Sequence, residues 1–119
     1  MPAKPLIAIV EDDESLRPAL VGLVRSMGYD GEAFASAEAF LAGDAQDRAD
    51  CLVSDLQLPG ISGLDLIERL AGAVPAILVT ARTEQAIDAR AKKGGVLCLL
   101  RKPFEAEDLA GCIRRALDS

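Results

Sequence analysis

Asp55 is the residue of this chain whose position most favours chemistry. It ends an apolar run that begins at Cys51, and Pro59, Gly60 and Gly63 then break regular structure before the next helix. In an open parallel sheet, ligands bind beyond the carboxyl ends of the strands. An aspartate there can act as a nucleophile, although a lone one is more often a helix cap or a solvated loop acid.

Four other polar side chains follow apolar runs elsewhere in the chain. Glu11 and Asp12 follow the first run, Thr80 ends the fourth and Lys102 follows the fifth. Three acids in one place would repel one another, and a hard divalent cation with oxygen ligands suits them. A hydroxyl and an ammonium group beside them suit the remaining oxygens of a phosphoryl group, which makes Asp55 a candidate nucleophile that forms an acyl phosphate.

Each of these residues also has a purely structural explanation. The acids at positions 11–14 would favour the start of the following helix. Thr80 would serve as a helix cap and Lys102 as a surface charge. Their joint placement at the ends of four predicted strands is what favours a site.

The elements that would position these residues alternate along the chain. Short apolar runs predict strands at 5–10, 29–35, 51–55, 75–80 and 96–100. Helical spacing and capping residues predict helices at 15–27, 36–43, 63–71, 83–93 and 105–118, with a polar connection at 43–50. This alternation predicts a doubly wound α/β domain over residues 1–119, with five helices on the two faces of a five-stranded parallel sheet.

Composition limits the class of protein. The 119 residues suffice for one domain, half of them are hydrophobic, and the net charge of −6 argues against a nucleic-acid-binding surface. No apolar run approaches the roughly 20 residues of a membrane span, and no signal-peptide pattern is present. The scattered cysteines Cys51, Cys98 and Cys112 predict packing residues in a reducing, cytoplasmic setting. The absence of histidine excludes a histidine-based triad or zinc site within the chain.

Four segments of the sequence resemble the receiver domain of bacterial two-component response regulators. They are IVEDDESLR (9–17), SDLQLPGISG (54–63), LVTA (78–81) and KPF (102–104). The resemblance covers essentially the whole chain and implies the flavodoxin-like, CheY-like fold with strand order 2-1-3-4-5. It implies a phospho-acceptor that promotes only its own phosphorylation and dephosphorylation, and so not an enzyme in the ordinary sense.

The resemblance also assigns roles around the acids. Asp55 would be the phospho-acceptor, and Mg²⁺ (or Mn²⁺) would be held by Glu11, Asp12 and Asp55. The backbone carbonyl of Gln57 would be a further metal ligand. In this register Asp13 lies outside the acidic pair and caps the first helix, whereas the alternative register pairs Asp12 with Asp13.

The remaining motifs imply the parts of a switch. Lys102 would pair with the phosphoryl oxygens, and the bond from Lys102 to Pro103 is predicted to be cis. Thr80 would turn its hydroxyl to the phosphoryl group, and the small Ala81 leaves room for that approach. The surface of the fourth predicted helix, fifth strand and fifth helix would then change its preference for partners. Leu99 is a departure, because many receivers have an aromatic switch residue there.

The resemblance implies partners as well. A histidine kinase or phosphotransfer protein would supply the phosphoryl group, and the switched surface would allow a homodimer. Membrane contact and direct nucleic-acid binding by this domain are not expected. The segment LPGISG resembles regulators with LuxR-type output domains, through which transcription would be controlled.

Three alternative functions are weighed against this one. A phosphatase resembling the haloacid dehalogenase group would need an aspartate where Gln57 stands. A flavodoxin-like cofactor binder would need a loop rich in Ser, Thr or Gly after the first strand, where acids stand instead. A degenerate receiver that binds partners without phosphorylation is opposed by the intact Asp55, Thr80 and Lys102. Leu99 keeps this alternative open.

Overall fold

Five strands and six helices lie within residues 4–118, the part of the chain that this computed structural model describes. The strands are β1 (Leu6–Val10), β2 (Asp30–Phe34), β3 (Cys51–Asp55), β4 (Ala76–Thr80) and β5 (Val96–Arg101). The helices are α1 (Leu16–Ser26), α2 (Ala37–Ala42), α3 (Ala45–Arg48), α4 (Gly63–Leu70), α5 (Gln85–Lys93) and α6 (Ala106–Asp118).

All five strands are parallel and lie in the order β2-β1-β3-β4-β5, which confirms the predicted fold. Successive side chains of a strand point to opposite faces, so the core divides into two layers. Ala8, Leu52 and Leu78 face one layer, and Ile9 and Val53 face the other. Because β1, β3, β4 and β5 run in the same direction, their carboxyl ends meet at one edge of the sheet.

The fold has one helix more than predicted. α3 occupies a single turn within residues 43–50, which were predicted to be a polar connection. Its Ala45 is 1% exposed, and its Arg48 forms ion pairs with Asp44 and Glu32. Four residues are too few to show helical periodicity, so the sequence pattern could not reveal this turn.

The helix α5 is thinly packed, because it has few apolar residues. Its buried residue is Ala91, and Ile87 is only half-buried. The side of α5 is held instead by Arg90, which pairs with Asp65 at 2.5 Å and with Glu68 at 2.7 Å. Both acids belong to α4, so exposed ion pairs replace part of the missing apolar contact.

The cysteines are free thiols that pack in or against the layer between the sheet and α6. Cys51 and Cys98 are buried, and Cys112 is half-buried. Burial raises the pKa of both Cys51 and Cys112 to about 12, which keeps these thiols protonated near neutral pH. Within residues 4–118, no helix is long and apolar enough to cross a membrane.

The unequal packing of the helices can be tested by truncating one side chain in each of two helices. Leu66→Ala in α4 removes a side chain that is 0% exposed and should lower the free energy of unfolding by about 3 kcal/mol. Ile87→Ala in α5 should cost about 1 kcal/mol, because the half-buried Ile87 loses less apolar contact. Urea unfolding measures both values, and equal losses would contradict the thin packing of α5.

Candidate functional site

Asp55 lies at the centre of the carboxyl edge of the sheet. It is the last residue of β3, the middle strand, and its side chain is 11% exposed. Its Oδ1 atom lies 3.3 Å from Nζ of Lys102. Burial raises the pKa of the Asp55 carboxyl despite the neighbouring ammonium group, and the charge of Asp12 adds to this rise.

The loop after β1 brings two more acids beside Asp55. The side chain of Glu11 is 3% exposed, and its Oε1 accepts a hydrogen bond from Lys102 Nζ at 3.2 Å. Burial and the charge of Asp55 raise the pKa of the Glu11 carboxyl. Asp12 is exposed, and one carboxylate oxygen from each of Glu11, Asp12 and Asp55 lies within 4.8 Å of the other two. This donor set fits a hard divalent cation, which would relieve the mutual repulsion.

Asp13 lies next to this cluster in sequence but is used differently. Its Oδ1 accepts hydrogen bonds from the backbone N–H groups of Ser15 at 2.8 Å and Leu16 at 2.9 Å. These bonds lower the pKa of the Asp13 carboxyl and satisfy amides at the start of α1. Asp13 therefore caps the helix, which leaves Glu11 and Asp12 as the acidic pair beside Asp55.

Lys102, the residue after β5, bridges the carboxylates of Glu11 and Asp55. Its Nζ is 3.2 Å from Glu11 Oε1 and 3.3 Å from Asp55 Oδ1. Desolvation alone would lower the pKa of the ammonium group, but Asp55 and Glu11 outweigh it and raise the pKa. The backbone N–H of Lys102 donates to the carbonyl of Thr80 at 2.9 Å, and the peptide bond from Lys102 to Pro103 is cis.

The other predicted site residues are not members of the acidic cluster. Thr80 is 1% exposed, and its hydroxyl accepts a hydrogen bond from the backbone N–H of Arg82 at 2.9 Å. Ala81 is exposed, and Gln57 is exposed in the loop after β3. Leu99 is half-buried and packs against the core.

Two supporting residues emerge only from the structure. A Cβ atom on Gly63 would overlap the carbonyl oxygen of Asp55 and would lie 2.8 Å from Ser54 Oγ. Gly63 therefore lets the start of α4 pack directly against the backbone that carries Asp55. The side chain of Arg17 donates to the carbonyl of Glu11 at 3.1 Å and fixes the acidic loop. The sequence gives no signal that separates Gly63 from an ordinary helix-opening glycine.

Comparison with known proteins identifies a family. Residues 7–114 match the response regulator receiver domain. Nodulation protein W of Bradyrhizobium diazoefficiens is 38% identical over 118 residues, covering 97% of this chain and 52% of that protein. The transcriptional regulatory protein FixJ of Azorhizobium caulinodans is 36% identical over 121 residues, covering 98% and 57%. The structure of the response regulator StyR matches with a TM-score of 0.88 and 38% identity, over 98% of this chain and 60% of that one. The chain thus spans little more than half the length of these two curated relatives.

The raised pKa of Asp55 predicts that its charge weakens the metal-free fold. The folded protein favours the protonated Asp55 carboxyl, and the stability that this group contributes is complete below its ordinary pKa of 3.8. That contribution is lost as pH rises through the raised pKa of the folded protein. Asp55→Asn should therefore raise the free energy of unfolding by about 1 kcal/mol at neutral pH in chelator. The gain should shrink as pH falls toward 3.8. The exposed control Asp30→Asn should show no such change, and a less stable Asp55→Asn at neutral pH would refute the prediction.

The close approach at Gly63 predicts opposite effects for two glycine substitutions in helices. Gly63→Ala should lower the free energy of unfolding by about 2 kcal/mol, because the new methyl group displaces the backbone of Asp55. Gly22→Ala in α1 should raise it by about 0.5 kcal/mol, since nothing lies within 4 Å of the added carbon. Chemical denaturation measures both free energies of unfolding. An unchanged value for Gly63→Ala would show that the close approach of Gly63 to the Asp55 carbonyl does not constrain the residue at position 63.

Proposed function

This chain belongs to the response regulator receiver family, and we propose that it accepts a phosphoryl group on Asp55 from a histidine kinase or phosphotransfer protein. Receiver domains are generally signalling phospho-acceptors rather than classical enzymes. The observation that carries the proposal is the half-buried Asp55 carboxylate, which has Lys102 at 3.3 Å and two further acids within 4.8 Å.

The arrangement supports a direct transfer to oxygen. A carboxylate oxygen of Asp55 forms a bond to phosphorus as the bond from phosphorus to the donor nitrogen breaks, and the donor imidazole keeps that electron pair. The ammonium group of Lys102 already lies between the carboxylates, where it can pair with a phosphoryl oxygen. Thr80 is buried at the end of β4, on the same edge of the sheet, and its hydroxyl supplies a second hydrogen-bond donor after it turns from Arg82.

The family normally binds Mg²⁺, and the acidic cluster suits that ion or Mn²⁺. Glu11, Asp12 and Asp55 would hold it, with the backbone carbonyl of Gln57 as a further ligand. When bound, the cation neutralises charge on the carboxylates and phosphoryl oxygens. Lys102, which pairs with Glu11 and Asp55 in this structure, would be the ammonium group that pairs with a phosphoryl oxygen.

The readout proposed for this chain is a change in the surface of α5, β5 and α6. These are the fourth helix, fifth strand and fifth helix of the sequence prediction, since α3 was not predicted. A homodimer through this surface and a cytoplasmic location belong to the same proposal. FixJ is named a transcriptional regulatory protein, and we infer that this receiver also controls transcription through an output domain, which would make the DNA contact.

The phosphorylation is tested by intact mass measurement after incubation with acetyl phosphate and Mg²⁺. The wild-type protein should gain one phosphoryl group, because Asp55 is placed as a nucleophile beside Lys102. Asp55→Asn should gain none, and chelation of Mg²⁺ should abolish the adduct. Asp30→Asn serves as the control and should be modified like the wild type, since it lies outside the site.

Two results would contradict the proposal. A folded wild-type protein that gains no phosphoryl group would instead support a partner-binding receiver that acts without phosphorylation. An adduct that persists in Asp55→Asn would place the modification on another residue.

A further inference from the structure

Arg101, the last residue of β5, connects the loop after β4 to α5. Its Nη1 donates to the carbonyl oxygen of Arg82, and its Nη2 donates to Asp88 Oδ1 at 2.6 Å. The backbone N–H of Arg82 donates in turn to the hydroxyl of Thr80 at 2.9 Å. A continuous chain of hydrogen bonds therefore runs from the buried Thr80, through the backbone of Arg82 and the guanidinium of Arg101, to α5.

The contact between Arg101 and Asp88 matters because little else holds α5. Ala91 is its buried residue, and Ile87 is half-buried. Within residues 4–118, the other ion-pair anchor of this helix is Arg90, which reaches α4. The pair of Arg101 with Asp88 thus connects α5 to β5, the strand that leads to Lys102.

We propose that Arg101 is a latch that opposes phosphoryl binding by holding the loop after β4 and α5 in the arrangement seen here. The inference rests on the proposed phosphorylation of Asp55 and names a regulatory residue for it. If the Thr80 hydroxyl turns to a phosphoryl group, either its bond from Arg82 breaks or residues 81 and 82 follow it. In the first case Arg101 keeps residues 81 and 82 in place, so the hydrogen bond to Thr80 is lost. In the second case the Arg82 carbonyl leaves its present position, which Arg101 resists.

The latch also gives the chain a coupling element on β5. Leu99 lies at the position where many receivers have an aromatic switch residue. Its aliphatic side chain packs against the core and has no polar group that could bond to Thr80 when the hydroxyl turns. Arg101 lies two residues later on the same strand and contacts the loop after β4 by donating a hydrogen bond to the Arg82 carbonyl. A change at Thr80 thereby reaches Asp88 on α5 without an aromatic ring.

The test compares beryllofluoride binding, with saturating Mg²⁺, by the wild type and two variants. Beryllofluoride is used as the phosphoryl mimic, and fluorine NMR measures its affinity. Arg101→Met removes both hydrogen bonds and keeps an unbranched stem of similar width. By linkage, an interaction that opposes the bound arrangement weakens binding, so Arg101→Met should bind about fivefold more tightly. Asp88→Asn removes one anion and should tighten binding by a smaller factor.

The control is Arg48→Met, which also loses exposed ion pairs but lies on α3, away from β5. Its affinity should equal that of the wild type. Hydrogen exchange provides a second readout. In Arg101→Met without beryllofluoride, the backbone amides of residues 81–93 should exchange as fast as those of the wild type with beryllofluoride. General destabilisation would not tighten binding, so affinity separates the latch from a purely structural role.

The outcomes distinguish the two proposals. A wild type that does not bind beryllofluoride through Asp55 would overturn the proposed function and the latch together. A wild type that binds, with Arg101→Met and Asp88→Asn binding equally or more weakly, would overturn the latch alone. If Arg101→Met does not fold, Asp88→Asn decides the question, because Asp88 is about half exposed and Arg101 stays in place.

Discussion

The confinement of three carboxylates and one ammonium group at a single edge of the sheet is the constraint on which the rest of the structure depends. Burial raises the pKa of Glu11 and of Asp55, so both acids are held in an environment that disfavours their charge. Lys102 offsets part of this cost by pairing with both. The arrangement persists because two apolar layers fix the strands, and because Arg17 and Gly63 fix the loops that follow β1 and β3.

The parts of the site that the sequence predicted are those determined by chain direction. Parallel strands place their carboxyl ends together. The types of residue at those ends were therefore enough to predict that four side chains lie close to one another: Glu11, Asp12, Asp55 and Lys102. The two acidic registers differed by one residue, which no charge pattern could separate. The structure separates them because Asp13 accepts the backbone amides that start α1.

The parts that the sequence did not predict depend on short segments or on side chains far apart in the chain. α3 is a single turn, which is too short for a periodic pattern. Gly63 is required by its distance from the Asp55 carbonyl, which becomes visible only when α4 is packed on the sheet. Arg101 is 19 residues from Arg82 and 13 from Asp88, and its contacts follow from the register of β5 beside β4.

The core strands are tightly packed and rigid, whereas α5 is thinly packed and moves more easily. Strands β3 and β4 are almost completely buried and keep Asp55 in place, whereas α5 is attached through exposed ion pairs. Such pairs contribute at most about 1 kcal/mol each. The fivefold effect proposed for the Arg101 latch corresponds to about 1 kcal/mol. A hydrogen bond to a charged group contributes about 1.5–3 kcal/mol, so under the proposed function one new contact between Thr80 and a phosphoryl group would outweigh the latch. The same contact would not outweigh burial of the core strands. Under the proposed function, the structural change would therefore occur at α5 and β5 rather than at the site around Asp55.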